Sequence, residues 1–114
     1  RVFIGGNIGD PLINYVDDMK PNDLAILEIS SFQLDQMTIS TDVAAILNVT
    51  PNHLDRHGTM EAYAAAKARI LTYQSPAGVA VLNREDPGSW NLASLVPGWR
   101  AYRLSLADGL SPRI

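Results

Sequence analysis

The sequence contains no cysteine, which excludes a disulfide framework and any thiolate-ligated metal. Long apolar runs are also missing. None approaches the roughly 18 residues that a membrane-spanning helix needs, so a soluble chain with no membrane partner is expected. No basic segment followed by an apolar stretch opens the chain, so no secretory signal is read there; without a start Met, the true N-terminus is expected to lie elsewhere. These absences are compatible with a cytoplasmic location. Basic residues are scarce and scattered. Nine Lys and Arg against twelve Asp and Glu leave a net charge of −3, unlike the clustered cationic surface of a nucleic-acid binder. A local site can still take an anionic substrate, because so small a global charge is easily overridden.

Apolar residues are plentiful. At 46% of 114 residues they suffice for the core of one modest domain or a piece of a larger one. Val2-Phe3-Ile4, running into glycines, suits a buried strand and its exit turn. Asp10-Pro11 reads as an N-cap with proline at the first helical position, and a short helix through Leu12, Ile13 and Val16 should follow. Residues 23–29 (DLAILEI) predict a second strand, and residues 43–49 (VAAILNV) a third, apolar enough to be covered on both faces. Residues 59–73 have the alanine content and spacing of an amphipathic helix. Residues 78–82 predict a fourth strand, 86–96 a helix and 99–104 a fifth strand, while 105–114 look like a frayed end or a cut connection. Strands alternating with helices predict an α/β fold with a mainly parallel sheet flanked by helices, Rossmann-like in outline. There is no internal repeat.

Three positions suggest a metal site. Glu28 interrupts an apolar strand near its carboxyl end, where ligands gather in parallel sheets. A carboxylate there needs a cation, a donor network or solvent; taken alone, an ion pair or an exposed strand end is the more ordinary explanation. His53 follows the third strand by one turn, and a neutral imidazole there can bind a divalent metal with Asp55 orienting it, or can simply be solvated. Lys67 shares a helical face with Tyr63, Ile70 and Leu71. It can reach phosphates, carry a CO₂-derived carbamate, or lie along the surface.

A dinucleotide site competes for the glycines. Gly5-Gly6-Asn7-Ile8-Gly9 sits between a strand and a helix, and Glu28 follows Gly9 by 19 positions (28 − 9), near the spacing of an acidic ribose partner. Ile4 occupies the place of the first fingerprint glycine, however, and Asp10 puts a carboxylate where pyrophosphate belongs. A tight turn into a capped helix explains the same residues.

Taken together, four segments are more specific than any one. Gly5-Gly6-Asn7-Ile8-Gly9, Glu28-Ile29-Ser30-Ser31-Phe32-Gln33-Leu34, residues 46–57 (ILNVTPNHLDRH) and residues 63–70 (YAAAKARI) follow in that order. This arrangement resembles the central domain of Mur ligases. The Asn-Val-Thr-Pro-Asn-His-Leu-Asp stretch is similar to Mur ligases and folylpolyglutamate synthetases broadly; Ser-Ser-Phe-Gln-Leu with Gly-Gly-Asn-Ile-Gly resembles the D-glutamate-adding branch. Residues 81–86 (VLNRED) are similar to a strand-end Asn-x-Asp/Glu-Asp pattern, to which no role attaches at this point. The resemblance runs from residue 2 to 86 and weakens beyond, so residues 1–104 are read as part of a central domain and 105–114 as a terminal or connecting segment.

The resemblance implies ATP-driven joining of D-glutamate to UDP-N-acetylmuramoyl-L-alanine through an acyl phosphate, a step in peptidoglycan precursor synthesis. It implies that Glu28 and His53 help hold Mg²⁺, that Lys67 is catalytic and can be carbamylated to place a second Mg²⁺, and that Asn7 and Ser30 lie by the muramoyl peptide. No Gly-x-x-x-x-Gly-Lys-Ser/Thr loop occurs; the only lysines are Lys20 and Lys67. In the family that loop lies upstream of the position matching Arg1, so this polypeptide by itself is expected to have no ligase activity. Another Mur or folyl ligase, a dinucleotide-binding oxidoreductase and a noncatalytic α/β module remain as alternatives.

Overall fold

The computed structural model describes residues 1–6, 9–50, 58–95, 101–105 and 109–112. Parallel strand pairs with helices on their flanks form a mixed α/β arrangement. Strands β1 (Val2–Gly6) and β2 (Leu24–Glu28) pair in parallel, with Val2 opposite Leu24 and Gly6 opposite Glu28. The chain between them turns through a 3₁₀ helix, Leu12–Asp18. Its N-cap is Pro11 in extended backbone, with no side-chain cap. The reading of Asp10 as N-cap is therefore corrected by one residue. The Asp10 carboxylate instead accepts the Tyr15 hydroxyl at 2.9 Å, and that hydrogen bond raises the Tyr15 pKa above its ordinary value.

A second sheet contains β3 (Val43–Ile46), β4 (Val79–Asn83), β5 (Ala101–Ser105) and β6 (Gly109–Pro112) in that order. The first two pairings are parallel and the last antiparallel. β6 thus arises inside the segment expected to be frayed or connecting. Helix α1 (Ser31–Leu34) follows β2, and α2 (Met60–Thr72) crosses from β3 to β4. The Thr59 hydroxyl caps α2 by accepting the Ala62 N–H at 3.1 Å, which satisfies one otherwise orphaned donor. Helix α3 (Pro87–Trp90) starts at Asp86 and tightens into a 3₁₀ turn over Asn91–Leu95. The single helix expected over 86–96 is split there; Pro87, Gly88 and Ser89 supply little helical propensity.

The main core lies between α2 and the β3–β4 pair. Tyr63, Ala68 and Leu71 of the helix meet Ala44, Ile46, Ala80 and Leu82 of the strands, and Val49, Leu92 and Ala93 close the cluster. The small alanines let helix and sheet approach closely, while Leu71 and Leu82 fill the centre with no exposed surface. Arg69, also on α2, ties α1 to this core. Its Nε donates to the Leu34 carbonyl at 2.6 Å and an Nη to the Met37 carbonyl at 2.8 Å.

Two expectations of burial are corrected. β3 ends at Ile46 and alternates, with Ala44 and Ile46 buried but Val43 61% exposed, so it is covered on one face rather than both. In β1 only Phe3 and Gly5 are buried, and every residue of β2 is exposed. Apolar runs in parallel sheets report what both faces can accept; the chain's own helices cover only part of that surface.

Candidate functional site at the strand ends

Two of the candidate side chains lie at carboxyl ends of parallel strands, one from the strand itself and one reaching there from a helix. Glu28 is the last residue of β2, and its exposed carboxylate makes no hydrogen bond or ion pair among the described residues. The backbone beneath it is tightly fitted. Gly6 lies opposite with φ +114°, and a Cβ built there would stand 2.3 Å from the Glu28 carbonyl oxygen. A Cβ on Gly5 would meet the Asp10 carbonyl at 2.3 Å. The glycines therefore make room for the chain's own backbone rather than for a pyrophosphate, which removes the main support for a dinucleotide fingerprint.

Ser30 begins α1 through a reciprocal capping box. Its hydroxyl accepts the Gln33 N–H at 3.2 Å, and the Gln33 side-chain oxygen accepts the Ser30 N–H at 2.9 Å. The sequence signal was present, since Ser-x-x-Gln is the signature of this cap, yet no helix was expected at these residues. Local capping thus sets the direction of the Ser30 side chain just beyond Glu28.

Lys67 reaches the carboxyl end of the second sheet. From the middle of α2 its Nζ donates to the Asn48 carbonyl at 3.0 Å, two residues past the end of β3. The ammonium also lies 5.2 Å from the centroid of the Tyr63 ring, where the ring face attracts a cation. The half-buried stem and fixed head distinguish it from a lysine waving in solvent. Asn48 is a partner that sequence reasoning missed, because a main-chain acceptor leaves no side-chain signal.

Asn7, His53, Asp55 and His57 lie outside the described residues. Among the described residues there is no cluster of three His, Cys, Asp or Glu suited to a metal. Donor chemistry still discriminates between the two remaining candidates. The unengaged oxygens of Glu28 suit a hard divalent cation. The amine of Lys67 is a donor that offers no oxygen, and only a carbamate on it would supply one.

A family model for the Mur ligase middle domain matches residues 8–109. The chain belongs to this Mur ligase family. Its parallel strand pairs and flanking helices fit that domain. Curated Mur ligases align closely with it. A UDP-N-acetylmuramoylalanine–D-glutamate ligase of Pelotomaculum thermopropionicum is 50% identical over 102 residues, covering 89% of this chain and 22% of that protein. The enzyme of the same name in Clostridium kluyveri is 51% identical over 86 residues, 75% of this chain and 19% of that protein. The one in Anaeromyxobacter dehalogenans is 48% identical over 99 residues, 86% and 21% respectively. The chain thus spans about a fifth of the length of these Mur ligases. The family match encloses Glu28, Ser30, His53 and Lys67. No helix among the described residues is long and apolar enough to cross a membrane.

Proposed function

We propose that the chain is part of the ATP-handling domain of a cytoplasmic Mur ligase that adds D-glutamate to UDP-N-acetylmuramoyl-L-alanine. The observation that carries this reading is 50% identity over 102 residues to a relative bearing that name. Glu28 at the carboxyl end of β2, and the Lys67 ammonium reaching from α2 to the carboxyl end of β3, support it physically, because that is where an α/β sheet receives its ligands.

In the proposed reaction the terminal carboxylate of the L-alanine attacks the γ-phosphorus of ATP, giving an acyl phosphate and ADP. The amine of D-glutamate then attacks the acyl carbon, the phosphate leaves, and the amine loses its proton as the amide forms. Both steps bring anions together, so catalysis rests on charge neutralisation and alignment. Glu28 and His53 would hold Mg²⁺, which when bound offsets phosphate charge. Lys67 serves either as a cation against phosphate or, once carbamylated, as an oxygen donor toward a second Mg²⁺. A carbamate nitrogen keeps one N–H, so the Asn48 carbonyl suits both forms. Asn7 and Ser30 would orient the muramoyl peptide.

In the full-length ligase carrying this chain, Glu28→Ala and His53→Ala should each lower kcat by roughly 100-fold or more. Each should also raise the Mg²⁺ concentration needed for half-maximal rate. A titration of rate against Mg²⁺ checks this, and wild-type metal dependence in both variants would remove them from the metal site. Residues 1–114 alone should yield no ATP- and D-glutamate-dependent product.

A further inference from the structure

Past Ile46 the β3 backbone leaves the sheet, yet its next groups are held one by one. The Ser89 hydroxyl donates to the Ile46 carbonyl. Asn83 Nδ2 donates to the Leu47 carbonyl at 2.9 Å. Lys67 Nζ donates to the Asn48 carbonyl at 3.0 Å. The Val49 N–H donates to Asp86 Oδ2 at 2.8 Å. Ile46, the last residue in the ladder, and the three residues beyond it are therefore each fastened by a side chain, from Ser89, Asn83, Lys67 and Asp86 in turn.

The holding groups are themselves braced. Asp86 Oδ2 also accepts the Ser89 N–H at 2.8 Å as the cap of α3, and the Asn83 N–H donates to the Ser89 hydroxyl at 3.0 Å. Asn83 Oδ1 accepts the Glu85 N–H at 3.0 Å. Ser89 has no exposed surface and Val49 is buried. Gly88 completes the fit, since a Cβ there would stand 2.4 Å from the Val49 carbonyl oxygen. Buried main-chain groups need partners, but capping α3 alone does not require that Asp86 also reach a residue 37 positions away.

We infer that Asn83, Asp86 and Ser89 are positioning residues that aim the Asn48 carbonyl and so fix the amine of Lys67. Asn48 sits between two clamped neighbours, Leu47 and Val49, so its carbonyl direction follows from theirs. Lys67 carries several rotatable bonds, and its head is set by where that acceptor points. The strand-end residues 83–86 acquire through this a role in the site. The inference rests on the proposed part of Lys67 in the reaction, although the placement of its amine can be read separately.

The test uses the full-length ligase with Asp86→Ala, Asp86→Asn and Asn83→Ala. Two quantities are measured for each: the acetylation rate of Lys67, by peptide mass spectrometry, and kcat with KM for each substrate. Asp86→Ala should raise Lys67 acetylation several-fold and lower kcat by roughly tenfold or more, with KM changed much less. Asp86→Asn should restore both, because its amide oxygen can accept the same two N–H groups. Asn83→Ala leaves the α3 cap intact and should shift both quantities in the same direction, which keeps the test valid if Asp86→Ala fails to fold. Unchanged Lys67 acetylation in Asp86→Ala and Asn83→Ala overturns the inference, as does an Asp86→Asn protein as impaired as Asp86→Ala. Faster acetylation with unchanged kcat supports the placement and instead removes Lys67 from the proposed reaction.

Discussion

Gly6→Ala should unfasten β1 from β2 at the point where Glu28 leaves the sheet. Two costs fall on one methyl group. The residue holds φ +114°, a conformation L side chains rarely adopt, and the new Cβ would stand 2.3 Å from the Glu28 carbonyl oxygen and 3.0 Å from its nitrogen. Both neighbours are backbone, so no flexible side chain can swing away. Strain of this kind costs about 1–3 kcal/mol by itself, and the displacement of a parallel register adds to it. A combined loss of about 3 kcal/mol corresponds to roughly a 100-fold rise in the local opening equilibrium, and so to faster exchange. Amide hydrogen exchange of the β2 peptide in the full-length protein reads this directly. Gly9→Ala is the matched control: φ is +84° there, but no atom stands within 4 Å of the added Cβ. It should bear only the backbone term, about 1–2 kcal/mol. Equal exchange in the two variants would mean that contact with Glu28 contributes nothing.

The same site shows what the sequence could and could not announce. Helix α2 was legible because its alanines and its spaced apolar residues are properties of side chains, and a Thr stands where its cap is needed. The strand at residues 79–83 was legible for the same reason, being a short apolar run between turn residues. The position of Glu28 at a strand end followed from the alternation of strands and helices, whereas Lys67 was legible only as a member of a helical face and its reach to Asn48 was not. Burial of β1 and β2 did not follow. An apolar run states that a strand tolerates cover on both faces, while the cover itself comes from elements elsewhere. Ile4 is 72% exposed despite its place in such a run.

The clamp on residues 46–49 was illegible for a different reason. Three of its four contacts end on main-chain carbonyls and the fourth on a main-chain N–H, and every residue type offers the first and every one but proline the second. Asp86 could be read as a helix start, and it is one. That its same oxygen also holds Val49 depends on how β3 and β4 lie side by side. Arg69 is a parallel case: its alignment on α2 is plain in the sequence, but its acceptors are the Leu34 and Met37 carbonyls. Both arrangements join a candidate residue to a neighbouring element, Ser30 and Glu28 through α1, and Lys67 through Asn48.

Lys67→Met should reduce turnover of the full-length ligase by roughly 100- to 1,000-fold, the range for removing one charge-stabilising group from an active site. Met keeps most of the apolar stem against Tyr63 but loses both the cation 5.2 Å from that ring and the bond to Asn48. The informative partner is Lys67→Arg. Arginine retains the positive charge and can donate to the same carbonyl, but its guanidinium stays protonated and does not take up CO₂ as a carbamate. If Lys67 acts as a cation against phosphate, Lys67→Arg should recover part of the lost kcat. A carbamate role predicts that Arg is as inactive as Met, because neither supplies the oxygens that a second Mg²⁺ requires. Initial rates at saturating ATP, D-glutamate and muramoyl peptide, with and without added bicarbonate, separate the two. Bicarbonate should raise the wild-type rate and leave both variants unmoved under the carbamate role. Wild-type turnover in Lys67→Met would exclude both roles and leave Lys67 as a structural tie between α2 and the end of β3.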